Sequence, residues 1–192
     1  MIELRNISKS FDEKRVLVDV SYRFAPRAVT AITGRSGQGK TTVLNIILGL
    51  VKSDAGEVIA QKGLRYACVF QEDRLIEHMD ARQNVQLTAH PAVDGAQIED
   101  VLARLGLDPK DDERVARYSG GMRRRVAIAR AVLAKPDVLA LDEPFKGLDV
   151  EARAAAAELI LARCPDALIL LVTHDADEIA LMRAEHTLEL AD

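Results

Sequence analysis

The sequence GRSGQGKTT at residues 34–42 decides the fold, because it matches the pattern G-x-x-x-x-G-K-[ST] at every required position. A short β-branched run, residues 29–33, precedes it, and residues 43–48 follow with the apolar spacing of a helix. The segment is therefore predicted to form a strand, a glycine-rich loop and a helix. Such a loop turns its backbone amides toward one concavity at a helix N-terminus, which predicts an anion site. The residues assigned to this site are Gly34, Arg35, Ser36, Gly37, Gln38, Gly39, Lys40, Thr41 and Thr42.

Lys40 and Thr41 indicate that the anion is a nucleoside triphosphate. In loops of this pattern the lysine ammonium reaches the β- and γ-phosphates, and the hydroxyl that follows binds Mg²⁺. The alternative is a glycine-rich turn that precedes a helix by chance, and such a turn needs neither residue. We therefore predict that Lys40 binds phosphate and that Thr41 binds the metal.

The composition is that of an ordinary soluble globular protein. The chain has 192 residues, 48% of them hydrophobic and 29% charged, which fits one domain with a substantial core. Its formal net charge is −4 and neither half is basic, which argues against nucleic acid as a partner. Cys68 and Cys164 lie far apart without metal-binding spacing, so free thiols in a reducing compartment are expected.

The sequence also lacks the signals of a membrane or exported protein. No apolar run approaches the roughly 18 residues that a membrane span needs, and no targeting segment is evident. We therefore expect a cytoplasmic protein whose membrane role, if it has one, depends on a partner.

Strand-like and helix-like segments alternate along most of the chain. This alternation predicts an α/β fold with a mostly parallel sheet that carries helices on both faces. Residues 2–5, 16–17 and 20–24 resemble an N-terminal antiparallel β edge that leads into the strand of the phosphate loop.

The composition changes between residues 72 and 118, where charged and apolar residues mix at helical spacing. Residues 98, 101, 102 and 105 form one apolar helical stripe within this segment. We therefore predict one domain over residues 1–192, with its core in residues 1–71 and 119–192 and a helical subdomain inserted at 72–118.

Polar residues follow the predicted core strands where each strand ends. Gln71 follows the run that ends at Phe70, Asp142 and Glu143 follow a run that ends at residue 141, and His174 comes soon after residue 172. Because the carboxyl ends of parallel strands meet at one edge of a sheet, these side chains should converge on the phosphate loop.

Each of these side chains suits a step of nucleotide hydrolysis. Asp142 is placed to hold Mg²⁺ beside Thr41, and the amide of Gln71 can bond to both metal and water. Glu143 can orient or deprotonate the attacking water, and His174 can hydrogen-bond the γ-phosphate. The plainer alternatives are a charge pair at a helix start for Asp142 and Glu143, and a core histidine for His174.

A second anion site is predicted at Ser119, Gly120 and Gly121, where a helix N-cap is followed by two glycines that leave backbone amides open. If this site and the phosphate loop cannot meet within one subunit, a two-fold dimer would bring them together. Residues 123–125, three arginines, are interpreted as a solvated helix face, with one of them available to the dimer partner. For Phe11, in a polar stretch, the pattern leaves open a core position and an exposed stacking platform.

Together these motifs resemble the ATP-binding cassette (ABC) ATPase subunits of transporters. YSGGMRRRVAIARA, residues 118–131, is similar to the family's signature motif, and VLALDEP, residues 138–144, is similar to its Walker B segment. Residues 147–149 resemble the D-loop and residues 173–175 the H-loop, while Gln71 matches the Q-loop glutamine. The resemblance spans nearly the whole chain in the family's order.

The resemblance implies a head-to-tail dimer that holds two ATP molecules and Mg²⁺ at its interface. Each ATP would lie between the phosphate loop of one subunit and residues 119–121 of the other, with Asp149 of the D-loop at the same interface. Phe11 would stack on the adenine. The helical insert would dock on a membrane-spanning permease near Gln71, and closure on ATP would drive the permease between states.

Three positions depart from the family's pattern. Met122 stands where the family usually has Gln, so a polar contact to nucleotide is in doubt there. Lys146 occupies a D-loop position usually held by a small Ser, which adds a charge at the dimer seam. Phe11 replaces the commoner Tyr. None of the three removes a catalytic group.

QEDRL at residues 71–75, with Asn84 and Val85 after it, is similar to importers of the nitrate, sulfonate and taurine type. This resemblance implies an importer with an anionic solute and a homodimer of ATPase subunits. It also implies permease subunits, an extracytoplasmic solute-binding protein and a place at the cytoplasmic face of the membrane. The alternatives are a non-transport ABC ATPase that regulates a membrane partner in cell division, and a small-molecule kinase, which has no use for residues 119–121.

Overall fold

The computed structural model describes residues 2–12 and 14–190. The strands described there are β1 (Ile2–Phe11), β2 (Lys14–Phe24), β3 (Val29–Thr33), β4 (Ala55–Ala60), β5 (Tyr66–Val69), β6 (Val138–Asp142), β7 (Leu168–Val172) and β8 (His186–Glu189). The α-helices are α1 (Lys40–Ile47), α2 (Ala81–Gln86), α3 (Gly95–Arg104), α4 (Gly120–Leu133), α5 (Val150–Arg163) and α6 (Ala176–Leu181), and a 3₁₀ turn spans Val115–Arg117.

A five-stranded parallel sheet in the order β5-β6-β7-β3-β8 forms the centre of the molecule. Every residue of β6 and β7 is buried, as expected for strands covered on both faces. Leu139 and Leu141 of β6 pack on the side of α4 and α5, whereas Val138 and Ala140 pack on the side of α1 and β1. The prediction of an α/β fold with a parallel sheet flanked by helices is confirmed.

The predicted N-terminal strands are antiparallel and form a sheet of their own, in the order β2-β1-β4. The stretches 16–17 and 20–24 belong to one strand, β2, rather than two. The sequence suggested a break because Asp19 interrupts the apolar run. Asp19 lies at an irregular point of the ladder with φ +52°, where its carboxylate accepts a 2.6 Å hydrogen bond from Asn6.

The helices α2 and α3 and the 3₁₀ turn all fall between residues 72 and 118. Both helices begin with a capping box, Asp80 with Gln83 and Asp94 with Gln97. The predicted apolar stripe is buried, and both helices pack against α4. The division of the chain into a core and a helical insert stays a prediction. None of the helices in the part of the chain that the structure describes is long and apolar enough to span a membrane.

Cys68 and Cys164 are free thiols, as predicted. Burial raises the pKa of each thiol to about 12, because the thiolate would lose its hydration. Both side chains therefore stay protonated and unreactive at neutral pH.

Candidate active site

The phosphate loop joins β3 to α1, and Gly39 is its last residue before the helix. Gly39 has φ +89°, and a Cβ added there would lie 2.7 Å from Val16 of β2, so both the backbone angle and the close approach require glycine. No side chain caps α1 at this position. The first amides of α1 therefore remain available to an anionic ligand.

Lys40 folds back over the loop that precedes it. Its Nζ donates hydrogen bonds to the carbonyl oxygens of Gly34 and Arg35, each at 2.8 Å. The backbone amide of Arg35 in turn donates to Oε1 of Gln38. The loop is thus ordered by its own side chains, with a positive charge at its centre.

A cavity of about 320 Å³ lies between the phosphate loop and the carboxyl ends of the parallel strands. The structure thereby brings together residues that are far apart in the sequence. The predicted site residues that line the cavity are Ser36, Gly37, Gly39, Lys40, Thr41, Thr42, Gln71, Asp142 and Glu143.

Thr41 and Asp142 form the pair of oxygen groups that was predicted to bind Mg²⁺. The Thr41 hydroxyl donates a 2.8 Å hydrogen bond to Asp142, which is only 4% exposed at the end of β6. Burial raises the pKa of Asp142, and the hydrogen bond from Thr41 opposes part of that shift. A buried carboxylate next to a hydroxyl is a donor set that suits a hard cation such as Mg²⁺.

Glu143, the predicted base, has a left-handed backbone with φ +48°. Its amide donates to the carbonyl of Val172 at 2.9 Å, which fixes this conformation against β7. The carboxylate lies 3.7 Å from Nδ1 of His174 and 3.7 Å from Nζ of Lys146. Strained residues of this kind cluster at functional sites, so the geometry supports an active role for Glu143.

His174 is exposed rather than buried in the core, with 76% of its side chain accessible. The core-histidine alternative is therefore wrong. Its two neighbours are firmly held, because Thr173 donates a 2.5 Å hydrogen bond to Glu178 and Arg153 donates a 3.0 Å hydrogen bond to Asp175. The backbone on both sides of His174 is thus fixed while its imidazole faces solvent.

Ser119 is the N-cap of α4, as predicted, and its hydroxyl accepts a hydrogen bond from the amide of Met122 at 3.2 Å. Ser119 and Gly120 are exposed. Among the described residues that line the phosphate cavity, neither Ser119–Gly121 nor His174 appears. The two predicted anion sites are therefore separate within one subunit.

Asp149, which was predicted to lie at the nucleotide interface, is the N-cap of α5. Its carboxylate accepts a 2.8 Å hydrogen bond from the amide of Ala152. It does not line the phosphate cavity within the described chain, and its nucleotide contact stays a prediction.

Phe11 is 46% exposed at the end of β1, which rules out the core alternative. The ammonium of Lys9 lies 5.3 Å from its ring centroid. Phe11 lines neither the phosphate cavity nor the larger groove beside it, but its partner in the β1–β2 register, Lys14, lines that groove.

The larger groove has a volume of about 720 Å³ and runs between β2, the phosphate loop and the end of β8. It shares Val16, Ser36 and Gly37 with the phosphate cavity, so the two spaces adjoin. A nucleoside attached to phosphates in the cavity would have room on this side.

The interpretation of residues 123–125 as a solvated face is wrong for Arg124, which is only 4% exposed. Its guanidinium donates to the carbonyls of Phe70 and Gln71. The signal was present in the sequence, because Arg124 precedes the buried residues 127, 128 and 131 by three, four and seven positions. Arg125 is also engaged, with the carbonyls of residues 105 and 106.

Comparison with known sequences identifies the relatives of this chain. A profile of the family described as "ABC transporter" matches residues 17–146. The aliphatic sulfonates import ATP-binding protein SsuB 2 of Pseudomonas syringae pv. syringae is 38% identical over 193 residues, covering 100% of this chain and 69% of the relative. SsuB 1 of Rhizobium johnstonii is 39% identical over 189 residues, covering 92% of this chain and 69% of the relative.

Solved structures also resemble this chain. The structure described as "Dimeric Structure of MJ0796, a Bacterial ABC Transporter Cassette" superposes with a TM-score of 0.85 at 27% identity, covering 99% of this chain and 94% of the other. A second, described as "Structure of ATP binding subunit of ABC transporter", also has a TM-score of 0.85, at 25% identity, covering 98% of this chain and 85% of the other. Sequence and structure thus agree on the same group of relatives.

Proposed function

The chain belongs to the ABC transporter family of ATPases, and on that premise we propose that it hydrolyses ATP to power an importer of a small anionic solute. The observation that carries the proposal is the phosphate cavity. Lys40, Thr41, Gln71, Asp142 and Glu143 meet there although up to 103 residues separate them in the chain.

ATP binding uses the phosphate loop. The open amides of α1 and of the loop would donate hydrogen bonds to the phosphate oxygens. The Lys40 ammonium, which donates to two loop carbonyls in this structure, would donate to the β- and γ-phosphates instead. The adjoining groove would take the nucleoside, with Phe11 beside it as the aromatic platform for adenine.

Thr41 and Asp142 would hold Mg²⁺, with the side-chain amide of Gln71, which lines the same cavity, as a further oxygen donor. These residues would hold the ion where its positive charge offsets that of the phosphates. The donor set fits, since all three residues line one cavity and Asp142 is buried beside Thr41.

Hydrolysis requires a group that takes a proton from water. Glu143 would fill this role, and the support is that it follows Asp142 directly yet projects from a different backbone conformation. His174, 3.7 Å from Glu143, would hydrogen-bond the γ-phosphate and help to hold the water in line. Lys146, at 3.7 Å on the other carboxylate oxygen, restrains Glu143 from the side of the D-loop.

The exposed start of α4 would complete the site of a second subunit. Ser119, Gly120 and Gly121 present a helix N-terminus that the phosphate cavity of the same subunit does not use. A solved relative described as dimeric supports an assembly of two ATPase subunits. In that assembly Asp149 would lie near the seam. We infer a homodimer that docks on permease subunits through the segment 72–118, with a solute-binding protein in the same system.

The cargo we propose is an organic anion of the aliphatic sulfonate type. The relatives named above are import ATP-binding proteins for aliphatic sulfonates and match this chain over nearly its full length. They do not favour the alternative of a cell-division ATPase. Through the permease the subunit would lie at the cytoplasmic face of the membrane.

Glu143→Gln tests the proposed hydrolysis. The amide keeps the shape of the side chain but cannot accept the proton, so we expect the rate of phosphate release to fall by about a hundredfold or more while ATP still binds. Glu158→Gln, an exposed position on α5, is the matched control and should leave the rate unchanged. Phosphate release at the normal rate by Glu143→Gln would contradict the proposal.

A further inference from the structure

The segment that carries Gln71, named here the glutamine loop (residues 70–74), has no regular secondary structure. It follows β5 and forms one wall of the phosphate cavity. Arg74 within it has φ +47° and places its guanidinium 3.9 Å from the ring centroid of Phe70. Because no helix or sheet ladder satisfies this loop, its carbonyls need partners from elsewhere.

Two arginines of α4 supply those partners. Arg124 donates to the carbonyls of Phe70 and Gln71, each at 2.6 Å, and its Nε lies 3.2 Å from the Asp73 carboxylate. Arg130 donates to the carbonyl of Asp73 at 3.0 Å and to that of residue 74 at 2.8 Å. Four carbonyls of a five-residue loop are thus held by one helix.

The burial of Arg124 makes the contact stiff. Arg124 is 4% exposed, and every hydrogen bond and ion pair described for Arg124 and Arg130 goes to the glutamine loop. A guanidinium that is buried and loses its partners pays a large desolvation cost. The loop and α4 therefore cannot separate without stranding a buried charge, so they move together.

Residues 119–121 form the start of α4. Arg124 lies about one turn after this start and Arg130 about three turns after it on the same continuous helix, so a shift of the arginines moves the start with them. In the proposed dimer, Gln71 contacts the ATP of its own subunit, whereas residues 119–121 contact the ATP of the other. In that dimer, α4 thus links the loop that meets one nucleotide to the residues that meet the other.

We propose that Arg124 and Arg130 are positioning residues that couple the glutamine loop to the helix start, so that ATP bound in one subunit sets residues 119–121 for the ATP of the partner. This inference rests on the proposed function. When Gln71 engages the metal and water, the loop shifts and α4 follows. Without the arginines, ATP still binds the phosphate loop, but the helix start is no longer placed for the dimer.

The test uses the full chain with Glu143→Gln as the parent, so that ATP is not consumed. Arg124→Met and Arg130→Met remove the guanidinium and keep a long side chain. Arg117→Met is the control, because Arg117 precedes α4, is 78% exposed and pairs only with Glu113 at 3.4 Å among the described residues. ATP affinity is measured with a fluorescent ATP analogue at protein concentrations below dimerisation, and the dimer dissociation constant by sedimentation at saturating ATP.

We expect the two arginine variants to bind ATP within about twofold of the parent while their dimer dissociation constant rises by about tenfold or more, the loss of at least one charged hydrogen bond. Arg117→Met should change neither quantity. Arg130→Lys keeps the charge but lacks the fork that bridges two carbonyls, so it should restore dimerisation only in part. If Arg124→Met does not fold, the dimer dissociation constants of Arg130→Met and Arg130→Lys test the inference.

Unchanged dimerisation of the arginine variants, or a parallel loss of ATP affinity, overturns this inference and leaves the proposed function intact. A parent that never dimerises with ATP overturns the proposed function, and the inference falls with it. Full rescue by Arg130→Lys also counts against coupling, because it would mean that a point charge suffices.

Discussion

At the scale of one residue, Lys40 is the cation that we propose binds the phosphates. Lys40→Ala removes an ammonium at the centre of the loop, where it donates to two carbonyls in this structure. Since a hydrogen bond to a charged group contributes about 1.5–3 kcal/mol, ATP affinity should fall by about tenfold to a hundredfold. Titration of a fluorescent ATP analogue measures this.

The matched control for Lys40→Ala is Lys52→Ala, an exposed lysine beyond the end of α1. It should bind ATP as the unmodified chain does. Equal affinities for the two variants would mean that the loop residues 34–42 do not bind the phosphates.

Residue identity alone could predict the chemistry of the site but not its geometry. The pattern at residues 34–42 predicts which side chains would bind phosphate and metal. The left-handed backbone of Glu143 could not be taken from residue type, because it depends on a contact with β7. The burial of Arg124 was indicated only by its helical spacing, and its partners in residues 70–74 were not. Glutamate rarely adopts φ +48°, and arginine is rarely buried.

At the scale of elements, Asp54 links β1 to the turn before β4. Its carboxylate accepts a 2.6 Å hydrogen bond from Lys9 and a 2.7 Å bond from the amide of Ser10. The Lys9 contact is the main cause that lowers the pKa of Asp54 below its ordinary value, followed by the Ser10 amide. The charged form is therefore favoured in the folded protein.

Asp54→Asn should lower the melting temperature at pH 7 by about 1 to 3 °C, because an exposed pair of this kind contributes little. Because the pKa of Asp54 is lower in the folded protein, its charged form stabilises the fold at pH values above the pKa of the unfolded chain, which is near 4. This stabilisation is lost as the pH falls through the pKa of the folded protein. The difference between Asp54→Asn and the unmodified chain should therefore shrink below about pH 4. Asp112→Asn, at an exposed position, is the control. If Asp54→Asn lowered the melting temperature equally at pH 7 and below about pH 4, the account would be contradicted.

Elements with uninterrupted patterns could be predicted closely from sequence. The bounds of β7 and α5 can be derived from the sequence, since β7 is a clear apolar run and α5 a clear helical run between turn residues. β2 could not be predicted as one strand, because the bulge at Asp19 depends on a partner, Asn6, in another strand. The sequence also could not predict which strands share a sheet, since β1, β2 and β4 pair with one another and not with β3.

At the scale of the whole molecule, the convergence of Gln71, Asp142 and Glu143 on the phosphate loop followed from the topology of a parallel sheet. The separation of Ser119–Gly121 from that cavity could not be derived from sequence, because it depends on where α4 packs. Two half-sites that do not meet in one chain lead to the central claim that ATP is bound between two subunits.

The most direct test of this claim is the molar mass of Glu143→Gln with Mg²⁺ and ATP, measured by light scattering after size exclusion. We expect twice the monomer mass with ATP and the monomer mass without it, because nucleotide bridges the phosphate loop of one subunit and residues 119–121 of the other. Gly120→Asp, which sets a negative charge against the phosphates, should return the protein to monomer. A monomer in the presence of saturating ATP, with the Glu143→Gln chain shown to bind it, would contradict the account.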